Sequence, residues 1–218
     1  MRWSPRTVFN SRGWRPALAV AGVLALASAL AACSGNHVVA SSSQQFYASV
    51  PSGWKVFEAP SLKNSSLESL ISTKPQFLEV ASASPRPRAT DAFTSSRYPW
   101  AIAMVRPLSP AEQSQLSFES MSDVLVPVDE LSQLGDNVQL LSQPTEQVNG
   151  PLHGIVLAVQ LQGPSGGQIA YQQSTWVNGA TNKIWLLMVG CSPSCYQQQQ
   201  SAISSVMSSF LVPDNKGK

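Results

Sequence analysis

The residues with the most distinctive chemistry in this chain are its cysteines. The 218 residues include three of them, Cys33, Cys191 and Cys195. A cysteine sulfur can be alkylated, can form a disulfide or can bind a soft metal ion, depending on its surroundings. Cys33 follows Leu30-Ala31-Ala32 at the end of an apolar stretch, whereas Cys191 and Cys195 flank Ser-Pro-Ser. These contexts predict different chemistry for Cys33 and for the other two cysteines.

The segment before Cys33 has the organisation of an export signal. Residues 1–16 contain four arginines and no acid, and residues 17–32 contain no charge. Basic residues favour a cytoplasmic N-terminus during insertion. A spanning helix needs about 20 apolar residues, so this stretch is short for a permanent anchor. An uncleaved anchor and an ordinary secretory signal are the alternatives.

The run Leu30-Ala31-Ala32-Cys33 resembles the lipobox of bacterial lipoproteins. The resemblance implies that residues 1–32 are a signal peptide. It also implies that Cys33 is lipidated, with palmitate among its acyl chains, and becomes the first residue of the mature protein. The membrane would then be a partner through the lipid on Cys33, and the protein would lie on the extracytoplasmic face of the cell membrane.

Removal of the signal changes the charge of the protein. The chain has 14 Lys and Arg against 12 Asp and Glu, but four of the arginines and none of the acids precede Cys33. The mature part therefore has ten bases against 12 acids, a net charge of −2. Because no basic excess remains, we expect no nucleic-acid partner.

Cys191 and Cys195 are expected to form a disulfide. They are an even pair if Cys33 carries lipid, and an extracytoplasmic compartment is oxidising. Ser192-Pro193 predicts a helix start, and residues four apart in a first helical turn have α-carbons about 6 Å apart, which a disulfide tolerates. The alternative is a thiol or copper site, as in copper-delivery proteins of the thioredoxin class. Such a site needs a histidine ligand, and the chain has only His37 and His153. We expect no metal and no cofactor.

The rest of the chain predicts one domain. Residues 33–44 contain the lipidated cysteine and a polar, serine-rich stretch, which we interpret as a flexible tether. Residues 45–212 form the domain, and 213–218 are a polar tail. Strands are expected in 46–57, on either side of a Pro-Ser-Gly turn, and in 77–82, 100–106, 138–148, 153–161, 169–177 and 183–189.

Two helices follow from capping and spacing. Ser109-Pro110-Ala111-Glu112 combines a capping box with proline at the first helical position. A last helix after Pro193 presents an apolar stripe, formed by Ile203, Val206, Met207 and Phe210. Shorter helices are expected in 62–71 and 128–134. Consecutive hairpins with flanking helices predict an α+β fold: a single antiparallel sheet with helices against it.

The order of these elements resembles the PsbP/Mog1-like fold. The resemblance is carried by Phe46-Tyr47-Ala48-Ser49-Val50-Pro51-Ser52-Gly53-Trp54, by three C-terminal strands with glycine-rich turns, and by a closing helix that ends Ser208-Ser209-Phe210. Members of this fold are mainly accessory, assembly or binding proteins without a shared catalytic site. The resemblance therefore implies a non-enzymatic role.

No catalytic residue is predicted. His153 begins a strand without a nucleophile motif beside it, and we interpret it as structural. Aromatic residues are the better candidates for binding, and we select Tyr98, Trp100 and Trp176 as possible ligand contacts.

Three functions remain as hypotheses. The first is a lipid-anchored extracytoplasmic binding or assembly-accessory protein, with an envelope protein as partner and no catalytic activity. The second is a carrier of a lipid or other hydrophobic molecule in a cleft between sheet and helix. The third is a thiol or copper protein that uses Cys191 and Cys195.

Overall fold

The computed structural model describes residues 35–41, 46–58, 75–117, 121, 138–178 and 182–212. Within these ranges the strands are β1 (His37–Ser41), β2 (Phe46–Val50), β3 (Lys55–Glu58), β4 (Phe77–Ser82), β5 (Trp100–Pro107), β6 (Val138–Asn149), β7 (Leu152–Gln162), β8 (Gln168–Val177) and β9 (Lys183–Cys191). The α-helices are α1 (Pro110–Gln115), α2 (Pro193–Gln198) and α3 (Gln200–Ser208). None of the helices within these ranges is long and apolar enough to cross a membrane.

The strands form an antiparallel sheet of seven, in the order β3-β4-β5-β9-β8-β7-β6. The α+β class and the predicted strands in 77–189 are therefore confirmed, with ends that move by up to two residues. The prediction of a single sheet is wrong, because β1 and β2 form a separate two-stranded sheet. The predicted signal peptide, Cys33, the helices in 62–71 and 128–134, and the tail 213–218 lie outside the described residues.

The two central strands are buried on both faces of the sheet. Every residue of β5 except Pro107, and every residue of β9 except Lys183, is buried. Side chains alternate between the faces of a strand, so each of these strands contributes to two cores. We call the side that contains Trp100, Ile102 and Met104 the loop face, and the side that contains Ala101, Ala103 and Val105 the helix face.

A loop between β4 and β5 covers part of the loop face. A 3-10 helix at Ala89–Asp91 is held to the strand by the Asp91 carboxylate, which accepts a hydrogen bond of 2.6 Å from the Ser82 hydroxyl. The next turn inserts Phe93, whose ring lies 6.0 Å from the rings of Trp100 and Tyr171. Phe93 has φ of +57°, a left-handed conformation that is uncommon for such a residue. Burial of its ring in this aromatic cluster offsets the conformational cost.

The helix face is covered by the small sheet and by the two C-terminal helices. Phe46 packs its ring edge-on against Phe77 of β4, with the ring centroids 4.8 Å apart. Helix α3 buries Ile203, Val206 and Met207 in the same core. The stripe predicted for the last helix is thus confirmed for these three residues.

The tether predicted for 33–44 contains a strand. Residues His37–Ser41 pair with β2 over five residues, from His37 opposite Val50 to Ser41 opposite Phe46. Val39 is 4% exposed and belongs to the helix-face core. Because the residues around Val38-Val39-Ala40 are mostly polar, the sequence did not predict this strand. Strand β1 forms because its backbone pairs with β2 and Val39 enters the core of the helix face.

The last helix is divided, which the sequence pattern did not predict. Helix α2 ends at Gln198, its C-cap residue Gln199 donates its N–H to the carbonyl of Cys195 at 2.8 Å, and α3 starts at Gln200. Helix α3 ends at Ser208, so Phe210 lies beyond it. The Phe210 ring still packs against Phe46, with the centroids 6.3 Å apart.

The predicted capping box at the start of α1 is confirmed, and its glutamate also forms an ion pair with Arg106. The Ser109 hydroxyl accepts from the N–H of Glu112, and the Glu112 carboxylate accepts from the N–H of Ser109 at 2.7 Å. The other carboxylate oxygen lies 2.8 Å from Nη1 of Arg106, which is 7% exposed. Burial raises the pKa of Glu112, but the hydrogen bonds with Ser109 and the charge of Arg106 outweigh it, so the net pKa is lowered.

We expect Glu112→Gln to destabilise the fold at neutral pH. Glutamine preserves the shape of the cap but leaves the buried guanidinium of Arg106 without its counter-charge, which costs about 1–2 kcal/mol of unfolding free energy. Because the folded pKa of Glu112 is lowered, its contribution is present above the unfolded pKa and is lost as the pH falls through the folded pKa. Urea unfolding of the wild type and of Glu112→Gln at pH 7 and at pH 3 measures the difference in their unfolding free energies.

The control is Glu146→Gln. The Glu146 side chain is 56% exposed and lies 3.8 Å from an equally exposed His153, so its replacement should change the stability little. An equal loss for Glu112→Gln at both pH values would show that charge is not the cause.

Candidate functional site

The three aromatic residues predicted to bind a ligand do not come together. Trp100 is 0% exposed on the loop face, and its indole N–H donates to the carbonyl of Thr94 at 2.9 Å. Trp176 lies on the helix face, half-buried against its core. The prediction of Trp100 as a ligand contact is therefore wrong, because the Thr94 turn and the Phe93 ring enclose its side chain.

Tyr98 lies two residues before the start of β5. Its backbone N–H donates to the Ser96 hydroxyl at 3.0 Å, and the guanidinium of Arg97 lies 5.4 Å from the centre of its ring. Tyr98 does not line the groove between the helices and the sheet, to which Trp176 contributes. Its role in binding stays a prediction.

A groove runs between the C-terminal helices and strands β6 to β8. One part, of about 270 Å³, is lined by Gln147, Val156, Gln172, Ser174, Trp176, Ser204, Met207, Ser208 and Phe210. The adjoining part, of about 360 Å³, is lined by Leu141, Ser142, Ala158, Gln160, Ala170, Gln172, Pro193, Tyr196, Gln197, Gln200 and Ser204. Both parts share Gln172 and Ser204, so we treat them as one feature and call it the helix–sheet groove.

The lining of the helix–sheet groove mixes polar and apolar side chains, and its described residues are uncharged. Among the described residues that line it, none is acidic, basic or histidine. Five glutamine side chains, from three strands and two helices, offer both amide donors and amide acceptors. The tyrosine at the groove, Tyr196, has a pKa raised by burial, so it is a neutral phenol at physiological pH. The described lining residues are therefore equipped for hydrogen bonding to an uncharged ligand.

Trp176 forms one end of the groove and is held flat against the sheet. Its indole N–H donates to the Ser174 hydroxyl at 3.0 Å. A Cβ added to Gly154 on β7 would lie 2.6 Å from Cδ2 of the Trp176 ring, so the ring covers the position where a side chain would be. Gly154 is therefore needed for this orientation, and Ser174 fixes the ring in its plane.

The Cys191–Cys195 disulfide is present, and it positions the other wall of the groove. The two α-carbons are 5.9 Å apart, and the bond joins the last residue of β9 to the first turn of α2. The predicted N-cap is also present, because the Ser192 hydroxyl accepts from the N–H of Cys195. Next to the bridge, Pro193 and Tyr196 line the groove.

The cysteine pair is joined in a buried disulfide, and His153 lies outside the groove. Cys191 is 0% and Cys195 is 3% exposed, and both are bonded. Within the described ranges no group of three or more His, Cys, Asp or Glu side chains could hold a metal ion. The His153 side chain is 52% exposed near Glu146 and does not line the groove.

Sequence reasoning identified Trp176 but missed most of the groove. The available signal was the alternation in β8, which places Gln172, Ser174 and Trp176 on one face. The glutamines of the helices gave no signal, because exposed glutamines are common and only the packing of α2 and α3 brings them to the sheet.

Comparison with known proteins shows the fold. The structure is similar to the solution structure of cyanobacterial PsbP (CyanoP) from Synechocystis sp. PCC 6803, with a TM-score of 0.51 and 12% identity over 83% of this chain and 94% of that one. This likeness confirms the predicted PsbP-like fold. No family model and no curated protein matches the chain.

Two further solved structures are similar at lower scores. LpqN, involved in cell envelope biogenesis of Mycobacterium tuberculosis, has a TM-score of 0.45 and 12% identity, covering 77% of this chain and 83% of its own. The Ran-binding protein Mog1p of Saccharomyces cerevisiae has a TM-score of 0.44 and 14% identity, covering 83% of this chain and 96% of its own.

We expect Gly154→Ala to displace Trp176. The new methyl group would meet the indole ring at 2.6–2.8 Å, so the ring must move and lose its hydrogen bond to Ser174. Overpacking of this kind costs about 1–3 kcal/mol of unfolding free energy. Urea unfolding measures the loss, and near-UV circular dichroism should lose the same band that Trp176→Phe removes.

Gly53→Ala is the matched control. No atom lies within 4 Å of a Cβ added to Gly53, so this variant should keep both the stability and the spectrum. An unchanged spectrum in Gly154→Ala would contradict the placement of Trp176 over β7.

Proposed function

We propose that this protein is a lipid-anchored extracytoplasmic binding or assembly-accessory protein without catalytic activity. In this proposal the helix–sheet groove holds an uncharged segment of a partner protein of the cell envelope. The observation that carries the proposal is the groove itself, which is open, rich in amide groups and free of charged side chains among its described lining residues.

The shape of the groove favours a partner segment over a carried lipid. An acyl chain would need an enclosed apolar cavity of several hundred Å³. The apolar cavity between the small sheet and the large sheet has a volume of only about 10 Å³, which is about one water molecule. The larger space lies in the groove, where Gln172, Ser174 and Ser204 would leave polar groups against a hydrocarbon chain.

The glutamines suggest what part of a partner is bound. An amide side chain can donate to a peptide carbonyl and accept from a peptide N–H at the same time. Gln160 and Gln172 on the sheet face Gln197 and Gln200 on the helices across one part of the groove. A segment of extended polypeptide with uncharged side chains could satisfy both walls, and Trp176 offers an apolar surface at the end.

The anchoring part of the proposal rests on the segment that ends at Cys33. The basic residues, the short apolar stretch and the small residues before the cysteine support cleavage and lipidation together. The Cys191–Cys195 disulfide supports an oxidising compartment.

We expect Ser204→Arg to abolish partner binding. Ser204 lines both parts of the groove, so a long charged side chain there would fill the space and bring an unpaired charge to its neutral lining. A photoreactive amino acid at Gln172 should crosslink the protein to an envelope protein in intact cells. Ser204→Arg should reduce that crosslink at least about tenfold, the equivalent of about 1.4 kcal/mol.

The matched control is Ser205→Arg. Ser205 is the next residue of α3, is equally exposed and does not line the groove. A crosslink that both variants lose, or both retain, would contradict the groove as the binding site. A lipid found by native mass spectrometry and displaced only by Ser204→Arg would support the carrier instead.

We expect Cys33→Ser to abolish the acylated mature form of the protein. Serine cannot form the thioether to the lipid, so no chain that begins at an acylated residue 33 should be found in the membrane fraction. Mass spectrometry of the purified wild-type protein should find a mature chain that begins at an acylated Cys33. An unmodified Cys33 in a mature chain would overturn the anchoring.

A further inference from the structure

Three of the five large hydrophobic side chains that are exposed among the described residues lie on one small surface. Among the described residues the exposed large hydrophobic side chains are Val38, Tyr47, Leu141, Val148 and Leu211, at 39–63% exposure. Single exposed apolar residues need no explanation, but neighbouring ones mark a contact surface. Val38, Tyr47 and Leu211 are neighbours, and we call them the apolar patch.

The strand pairing places the apolar patch on the outer side of the small sheet. Phe46, Ala48 and Val50 point into the helix-face core, so Tyr47 points away from it. Val38 is paired with Ser49, which lies on the same side of β2 as Tyr47. On the other edge of β2, Tyr47 and Leu211 exchange two backbone hydrogen bonds of 2.8 and 2.9 Å. The patch therefore extends across β1, β2 and the segment after α3.

The patch is also close along the chain to the predicted point of attachment. Strand β1 begins at His37, four residues after Cys33. Four residues span at most about 14 Å when fully extended. The lipid on Cys33 would therefore hold β1, and with it the small sheet, next to the bilayer surface.

We infer that the apolar patch docks on the membrane to which the protein is anchored. Tyrosine is favoured at the boundary between water and hydrocarbon, because its ring is apolar and its hydroxyl can stay hydrated. Val38 and Leu211 supply the apolar contacts beside it. This inference rests on the proposed lipidation of Cys33, and it adds an orientation: the small sheet faces the lipid.

A lipid surface fits this patch better than a second copy of the chain. A stable dimer buries about 800 Å² on each partner, and three partly exposed side chains offer much less. A membrane needs no such area, because the lipid on Cys33 already supplies the affinity and the patch only sets the orientation.

The test places a fluorescent probe on the patch of the lipidated full chain. Leu211→Cys introduces the only free thiol if Cys33 is bonded to lipid and Cys191 is bonded to Cys195. The bimane-labelled protein is reconstituted into phosphatidylcholine vesicles that contain nitroxide lipid. Because a docked apolar face lies about 5–10 Å into the interface, quenching should be at least about twofold.

Thr90→Cys is the reference position. Thr90 is exposed on the loop that covers the opposite face of the large sheet, so the same probe there should stay unquenched. Equal quenching at Thr90 and Leu211 in an acylated protein would overturn the docking and leave the anchoring intact. An unacylated Cys33, seen by mass spectrometry, would overturn both.

Substitution of the patch provides an independent check. Val38→Asp, added to the labelled Leu211→Cys protein, should reduce the quenching to the Thr90 level without releasing the protein from the vesicles. Val148→Asp is the matched control, since Val148 is also 63% exposed but lies on β6. Equal quenching in both variants, or dimers crosslinked through position 211, would overturn the inference.

Discussion

The need to cover two faces of one sheet determines the architecture of this protein. Strands β5 and β9 are apolar on both sides and lie in the middle of seven strands. Both faces must be covered, because an uncovered face of either strand would expose a large apolar area to water. The chain meets this requirement with a loop on one face, and with a small sheet and two short helices on the other.

The small sheet and the two helices cover only part of the helix face, and the uncovered part forms the helix–sheet groove. The small sheet packs over β4, β5 and β9 with a residual cavity of only about 10 Å³. Helices α2 and α3 pack on β8 and β9, and toward β6 and β7 they leave an open space. The sheet surface there includes Gln160, Gln172 and Ser174. Polar side chains make an incompletely covered surface compatible with water, so the groove is stable without a ligand.

Most strands could be predicted from the sequence because their signals are local. The alternating apolar residues of β7, the apolar run of β9 and the glycine-containing turns identify β7, β8 and β9 without knowledge of their neighbours. Strand β1 was missed because three apolar residues in a polar stretch become a strand only when β2 is beside them. The sequence predicts Trp100 and Trp176 together as ligand contacts for a similar reason. It shows that both residues are aromatic, but it does not show on which face of the sheet each lies or how far each is covered.

The sequence by itself determined the antiparallel strands, the capping box at Ser109, the pairing of Cys191 with Cys195 and the residue at which attachment is expected. Each of these depends on neighbours within a few positions along the chain. The tertiary structure alone decided that there are two sheets, that Trp100 is enclosed and that five glutamines line one groove. Those properties depend on how whole elements pack, which brings residues as far apart as Gln147 and Gln200 to one groove.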